Sequence, residues 1–413
     1  MSVSYIFPNE ILEIIFNFCD VYTLSQISMV CKQFNIVAYD TLKKKSEHLL
    51  VTNQKSGKFC ERCKPLLSLY KNSIFITYYK WIYKGCKKRQ IHKIMENNIE
   101  HLYNSNYVQM TKNMVWFCGN CNLFAYNRAM NGSIESGKKI MKRSDTFITS
   151  FAHCNNYIIG GTRDGHIYHW EIEDNQNNVY FEIMLNVEFF NCYYEIQQIN
   201  ATSQHIITGC DNSINILKYT DDRKGYTKEK EIIYGDDESM TNWLSISFDP
   251  IGTKFAANSI NSFDYYSYSS FHIYDIDKNY QIMNIKYDDL CQQLIWEDTH
   301  TILMCFENFI KKMDLRTSEF VRTWDSSKYD LLFCCSSDNM NTFMTGHYMG
   351  VLWDQRQSVA IQTYDVDDSG ICSLEFDSTH MYAATETDLF ELDFTGKDHF
   401  DHKKIENFFS NFY

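Results

Sequence analysis

The sequence predicts a mainly β chain: a seven-bladed β-propeller preceded by a small all-α module and a partly helical linker. Three observations predict it. Apolar residues keep helical spacing only before about residue 45. From about residue 105 the period drops to two, with Asn, Asp, Gly and Ser turns between short strands. Within that second region one strand pattern returns seven times.

The helical module begins at Pro8, which suits a first helical turn because no amide donor is needed there. Ile11, Ile14, Ile15 and Phe18 follow at the i, i+3, i+4, i+7 spacing of one apolar face. Asp20 breaks the run and can cap a second helix. Leu24, Ile27 and Cys31 make the second stripe; Val30, Phe34, Val37 and Ala38 make a third. Three helices this short bury little by themselves, so the module wants a partner or a neighbouring domain over its apolar faces.

Residues 46–100 are mixed, with Tyr78, Trp81, Ile82 and Cys86 suggesting a packed helix or strap. The basic clusters at 43–45 and 87–89 read as a solvated helix face or linker, with nuclear import as the competing reading.

The repeating strings are NLFAYN, RDGHIYHWEIE, DNSINILKY, SFHIYDID, NFIKKMDLRT, YMGVLWDQRQ and TDLFELDF. Their large anchors are Tyr126, Trp170, Leu217, Tyr274, Met313, Trp353 and Leu392, spaced 44, 47, 57, 39, 40 and 39 residues apart. A period of about 40 to 45 residues with four short strands per unit marks propeller blades. Seven anchors give seven blades, in preference to a pair of sandwiches. The pieces at 158–162, 206–210, 301–305 and 343–346 read as further strands, and those at 319–324 and 359–364 as outer strands. NSINSFDYYSYSS, in the longest interval, reads as a loop inserted in the fourth blade. A ring removes exposed sheet edges once its last blade closes on its first, and the closing strand is expected somewhere in 98–110. The expected division is 1–45, helical module; 46–100, linker; 101–395, propeller; 396–413, tail.

Composition narrows the function. Hydrophobic residues make up 44 % and charged residues 22 % of the 413, with 3 prolines, which argues for a packed core over long disordered tracts. A net charge of −13 opposes counterion-releasing nucleic-acid binding and attachment to an anionic membrane. No apolar run approaches the roughly 18 residues a bilayer span needs. The N-terminus lacks a basic start and a small-residue cleavage site, so no signal peptide is expected. The 15 cysteines are therefore expected as reduced thiols of a cytoplasmic or nuclear protein, most of them packing as small hydrophobes, as at Cys154, Cys210, Cys305 and Cys335.

Residues 7–40, FPNEILEIIFNFCDVYTLSQISMVCKQFNIVAYD, resemble the F-box. Pro8, Glu10, Ile11, Leu12, Leu24, Val30, Cys31 and Phe34 fall in its register, with Phe7 at the usual Leu and Phe34 at the usual Trp. The repeats resemble WD40 blades, although Trp-Asp is intact only at Trp353-Asp354 and the Gly-His dipeptide is largely missing. The stretches KMDLRTSEFVRTW, YMGVLWDQRQ and SLEFDSTHMYAATETDLFELDF, with Trp81 and Cys86 in the linker, extend the similarity to the F-box/WD-repeat family over nearly the whole chain.

That resemblance implies a substrate receptor of a cullin-type ubiquitin ligase. The F-box docks on a Skp-type adaptor, which joins it to cullin and RING subunits. The propeller presents a substrate protein, often phosphorylated, and the chain forms no bond itself. Phe7, Pro8, Ile11, Leu12, Leu24, Val30, Cys31 and Phe34 are the expected adaptor-facing residues, against the reading that some pack within the module. No cofactor is implied.

Other candidates are weaker. Arg163 and Arg223 could hold a phosphorylated segment through bidentate contacts, against ordinary surface arginine. Cys60-x-x-Cys63 and Cys118-x-x-Cys121 could each give two thiolates to zinc, but 54 residues separate the pairs, where ribbons use roughly 15–20. Asp164 and Asp211 read as turn-bracing residues. His166 and His169 meet no nucleophile at a recognisable spacing, and no GxSxG, HExxH or phosphate-binding glycine loop is present. Asp314-Leu315-Arg316 and Asp354-Gln355-Arg356 resemble the WDxR element with which other propellers dock on a DNA-damage-binding-type adaptor. That is one rival reading, and a scaffold propeller acting outside any ligase is the other.

Overall fold

The computed structural model describes residues 7–51, 58–64, 73–83, 85–93, 107–119, 122–141, 148–171, 195–210, 212–220, 226–234, 240–263, 266–329, 331–385 and 388–395. Three helices come first: α1 (Asn9–Asn17), α2 (Val21–Ser28) and α3 (Lys32–Leu50). Asp20 caps α2 by accepting the Thr23 amide at 2.7 Å, as its short carboxylate allows, and this bond holds its carboxyl below the usual range. The Cys31 thiol accepts the Phe34 amide at 3.5 Å and caps α3. α3 runs five residues past the expected boundary at 45 and stops at Val51, a buried residue in the left-handed region at φ 47°. Two short helices come next, α4 (Lys58–Arg62) and α5 (Ser73–Ile82).

Seven antiparallel sheets form the propeller, six with four strands and one with three among the described residues. The first strands of blades one to seven are Tyr107–Met110, Ile148–Cys154, Ile196–Ala201, Met240–Phe248, Cys291–Trp296, Cys334–Ser337 and Ile371–Phe376. Each contacts the first strand of the next blade, and the seventh contacts the first, so the ring is closed. All seven anchors, Tyr126 to Leu392, lie on the third strand of their blades, and all are buried. Alternation is what places them there. A strand with neighbours on both sides and a blade on each face buries both rows of side chains, and its largest residue fills the space between two sheets.

Closure differs from expectation. The strand that completes blade seven is Lys87–Lys93, paired antiparallel with Asp388–Asp393. It lies inside the segment read as linker, whereas Tyr107–Met110 of the expected window is the first strand of blade one. The basic cluster at 87–89 is therefore an exposed strand edge, with Arg89 paired to Glu391 at 2.6 Å. Charged side chains on an edge deter further strand addition. The 43–45 cluster is a helix face, where Lys44 pairs with Glu13 and Lys45 donates to the Cys19 carbonyl at 2.6 Å.

The expected loop in blade four is sheet instead. Residues Lys254–Phe263 and Tyr266–Asp275 are two ten-residue strands of one hairpin. Serine and asparagine disguise it, because Asn258, Ser259, Ser269 and Ser270 are polar residues buried within the sheet.

Strands alternate in direction, so each blade puts its first-to-second and third-to-fourth turns on one face of the ring. Its second-to-third turn and the connection to the next blade lie on the other. The helices sit on the first of these faces.

Candidate functional site

α1 carries two apolar stripes. Leu12 and Phe16, four residues apart, point inward and join a core that runs through α2, α3 and α5 into blades six and seven. Ile11, Ile14, Ile15 and Phe18 form the other stripe, and all four are exposed, Phe18 to 88 %. The i, i+3, i+4, i+7 face thus points away from the molecule. Its edge continues through Phe7, Met29 and Val30, all exposed, Val30 to 68 %. Gln33 ties the two ends together by donating to the Phe7 carbonyl at 2.9 Å and to Asn9 Oδ1 at 2.8 Å. A contiguous apolar face of this kind on a folded module marks an interaction surface.

The eight expected docking residues therefore divide. Phe7, Pro8, Ile11 and Val30 lie on the exposed face. Cys31 is exposed and serves as a helix cap. Leu12 and Leu24 are corrected to core positions, at 2 % and 0 % exposure, because their stripe packs on α3. Phe34 is half-buried edge-on against Phe16, with ring centres 5.5 Å apart. Ile14, Ile15, Phe18 and Met29 are the docking candidates that the register missed. Ile14, Ile15 and Phe18 stood in the periodic stripe, but a stripe alone does not say which way it faces.

α4 and α5 fix this module to the propeller. Trp81 of α5 is buried, stacks on Phe394 at 3.6 Å between ring centres and donates its indole N–H to the Ser378 carbonyl at 3.0 Å. The Tyr364 hydroxyl donates to the Trp81 carbonyl. Residues 58–64 meet first-to-second-strand turns around the ring. Lys58 donates to the Phe248 carbonyl of blade four at 3.3 Å, and Glu61 accepts the Lys112 amide of blade one at 3.1 Å. Arg62 pairs with Glu375 of blade seven and donates to the Ser337 carbonyl of blade six. A seven-residue segment that touches blades one, four, six and seven on one face must cross the mouth of the central channel.

Buried charge locks it there. Arg128 donates to the Arg62 carbonyl at 2.8 Å and pairs with Asp377 at 2.6 Å, both side chains at 0 % exposure. Asp377 also accepts the Lys64 amide at 3.0 Å. Burial by itself would raise the Asp377 carboxyl; Arg128 overrides this and holds it down to about 2.

Residues 6–45 match the F-box domain family. The match covers the exposed stripe on α1, the whole of α2 and α3 as far as residue 45. Among solved structures, the WD40 β-propeller domain of Doa1 is similar at TM-score 0.52 and 12 % identity, over 74 % of this chain and 96 % of that one. A chain of a mitotic checkpoint complex structure is similar at TM-score 0.55 and 11 % identity, over 74 % and 90 %. At these identities the likeness is one of fold. No curated protein sequence matches the chain. An F-box followed by a WD40-type seven-bladed propeller is the combination these findings support.

The remaining candidates lie apart from the F-box face. Arg163 is exposed in the second-to-third-strand turn of blade two, where Thr162 donates to Asp164, so Asp164 braces that turn. Arg223 and Asp211 lie outside the described residues. Cys60 and Cys63 sit half-buried at α4, with Cys63 Sγ 3.2 Å from Ser378 Oγ and its thiol raised by burial. Cys118 is buried between blades one and two, and Cys121 lies outside the described residues. Among the described residues no three His, Cys, Asp or Glu side chains gather as a metal site.

Arg316 and Arg356 are exposed, and each is paired at 2.5 Å to the aspartate two residues before it, Asp314 and Asp354. His169 is buried among Tyr157, Tyr219 and Tyr226, and that burial holds it down to about 4, so it packs as a neutral ring. His166 lies half-buried in the Asp164 turn.

Proposed function

We propose that the chain is the substrate-recognition subunit of an SCF-type ubiquitin ligase. The F-box face docks on a Skp-type adaptor and so on cullin and RING subunits, and the propeller holds the substrate protein. The single observation that supports this most is the exposed stripe Ile11, Ile14, Ile15 and Phe18 on a module rigidly joined to a propeller. An amphipathic helix presented this way suits helix-in-groove recognition. The chain contributes no catalytic group. It acts by holding a substrate lysine near an activated thioester, which raises effective concentration. The similarity of KMDLRTSEFVRTW and YMGVLWDQRQ to the F-box and WD repeat protein called dactylin supports the same role, and a cytoplasmic or nuclear site of action goes with it.

Ile15→Asp with Val30→Asp alters only exposed positions. The pair should abolish recovery of adaptor and cullin in affinity purification and leave the unfolding temperature unchanged. Retained recovery of both would refute the proposal. Recovery of a DNA-damage-binding-type adaptor that is lost on Arg316→Ala with Arg356→Ala would support the rival docking mode. Recovery of neither adaptor would support a scaffold outside any ligase.

A further inference from the structure

The propeller face opposite the helices is built differently on one side of the ring. Blade four rises above its neighbour there. Its central strands have ten residues against six in blade five, Thr301–Phe306 and Phe309–Asp314. Four extra residues add about 13 Å of sheet. Beyond this wall the surface is continuous across blades five, six and seven. The Glu307 amide donates to the Leu290 carbonyl at 3.3 Å, the Leu332 amide to the Glu307 carbonyl at 2.7 Å and the Phe333 amide to the Gly346 carbonyl at 3.0 Å. The Ile371 amide donates to the His347 carbonyl at 2.5 Å.

Three large apolar side chains stand exposed on that surface: Leu331, Phe333 and Tyr348. His347 lies between two of them, 4.4 Å from the Phe333 ring and 4.0 Å from the Tyr348 ring, and holds the aromatic pair in place. Carboxylates rim the patch. Asp288, Asp289 and Glu307 stand on the blade-four side, and Asp367 and Asp368 on the blade-seven side. Lys311 pairs with Asp289 at 3.3 Å and lies over the Phe306 and Phe309 rings, so it neutralises one of the five. Lys328, Lys286 two residues before Asp288, Lys93 opposite Asp388 and Lys88, which donates to the Val366 carbonyl beside Asp367, are further cations at its margins.

We propose that this sector docks a partner protein through a segment with an apolar anchor flanked by Lys or Arg. The apolar patch supplies the anchor site, and the acidic rim selects the flanks. Charge complementarity of this kind fixes register and speeds encounter. The inference rests on the substrate-receptor reading and deepens it: it names the class of segment the propeller takes, and the rim disfavours a phosphorylated acidic one.

The test pans short random peptides displayed on phage against the full chain carrying Ile15→Asp and Val30→Asp, so that the F-box face cannot select. Enriched peptides should carry one Leu, Phe or Tyr beside two or more Lys or Arg. The same peptides, synthesised and labelled, should bind in a salt-sensitive way. Asp288→Lys with Asp368→Lys should weaken them on the order of tenfold, and Phe333→Ser should do so without changing salt sensitivity. Selection of acidic or neutral peptides, no selection at all, or indifference to the charge reversal would each overturn the proposal. Adaptor recovery is measured separately on the chain with its native F-box. Peptide binding without adaptor recovery would sink the ligase reading alone, and adaptor recovery without peptide binding would sink this docking site alone.

Discussion

Asp338 and Asp377 stand at the same place in neighbouring blades, the turn after the first strand. Each accepts two turn amides, at 2.7 Å and 2.7 Å for Asp338 and at 2.7 Å and 2.9 Å for Asp377, and each is fully buried. Burial pushes Asp338 up to about 6, and Arg128 holds Asp377 down to about 2. Arg128 is the largest of the groups that hold Asp377 down, ahead of His380 and the Lys64 amide. Asp377 contributes stability above about pH 4 that is lost as pH falls toward its folded value. Arg128→Leu leaves a buried carboxylate unpaired and should cost about 3–5 kcal/mol near neutral pH. In that variant burial should dominate and move the folded pKa of Asp377 upward, toward or above its unfolded value. With the folded value above, its contribution is present in acid and lost as pH rises. The destabilisation by Arg128→Leu should therefore grow from about pH 4 to about pH 7 in urea melts. A pH-independent difference would contradict this account.

Among the elements, legibility tracks local pattern. The seven third strands can be read because each sets a large residue in alternation at a near-constant interval. The turn aspartates Asp249, Asp298, Asp338 and Asp377 recur at the matching place in blades four to seven, a second periodic signal beside the larger anchors. The closing strand is not legible. Lys87–Lys93 is polar on its exposed row and owes its place to a partner some 300 positions away in the chain. Two shortened chains test it, one beginning at residue 85 and one at residue 101. Both lack the helices, and they differ only by residues 85–100, which hold this strand. Only the first should show a cooperative unfolding transition by circular dichroism. The helix that joins F-box and propeller is legible as packed but not as a clamp. Trp81→Ala should cost about 3–5 kcal/mol and expose the 52–86 region to limited proteolysis before the blades unfold.

At the scale of the whole molecule the two candidate surfaces face apart. The F-box face can be placed on the first helices from sequence, yet its outward stripe and inward stripe are told apart only by packing. The proposed docking sector has no sequence signature, because Leu331 and Phe333 come from the connection into blade six and Tyr348 from that blade's second-to-third-strand turn, which meet only when its first two strands pair. Residues 58–64 across the channel mouth leave one broad side of the ring open, and among the described residues no element joins the two surfaces except the body of the wheel. On the proposed reading, holding a client and docking on the adaptor are thus mechanically separable. If the proposal holds, a protein with only its outward apolar face made acidic should still bind clients, so overproduced Ile15→Asp/Val30→Asp should act as a decoy, lengthening the half-life of whatever clients the intact form would hand over for destruction.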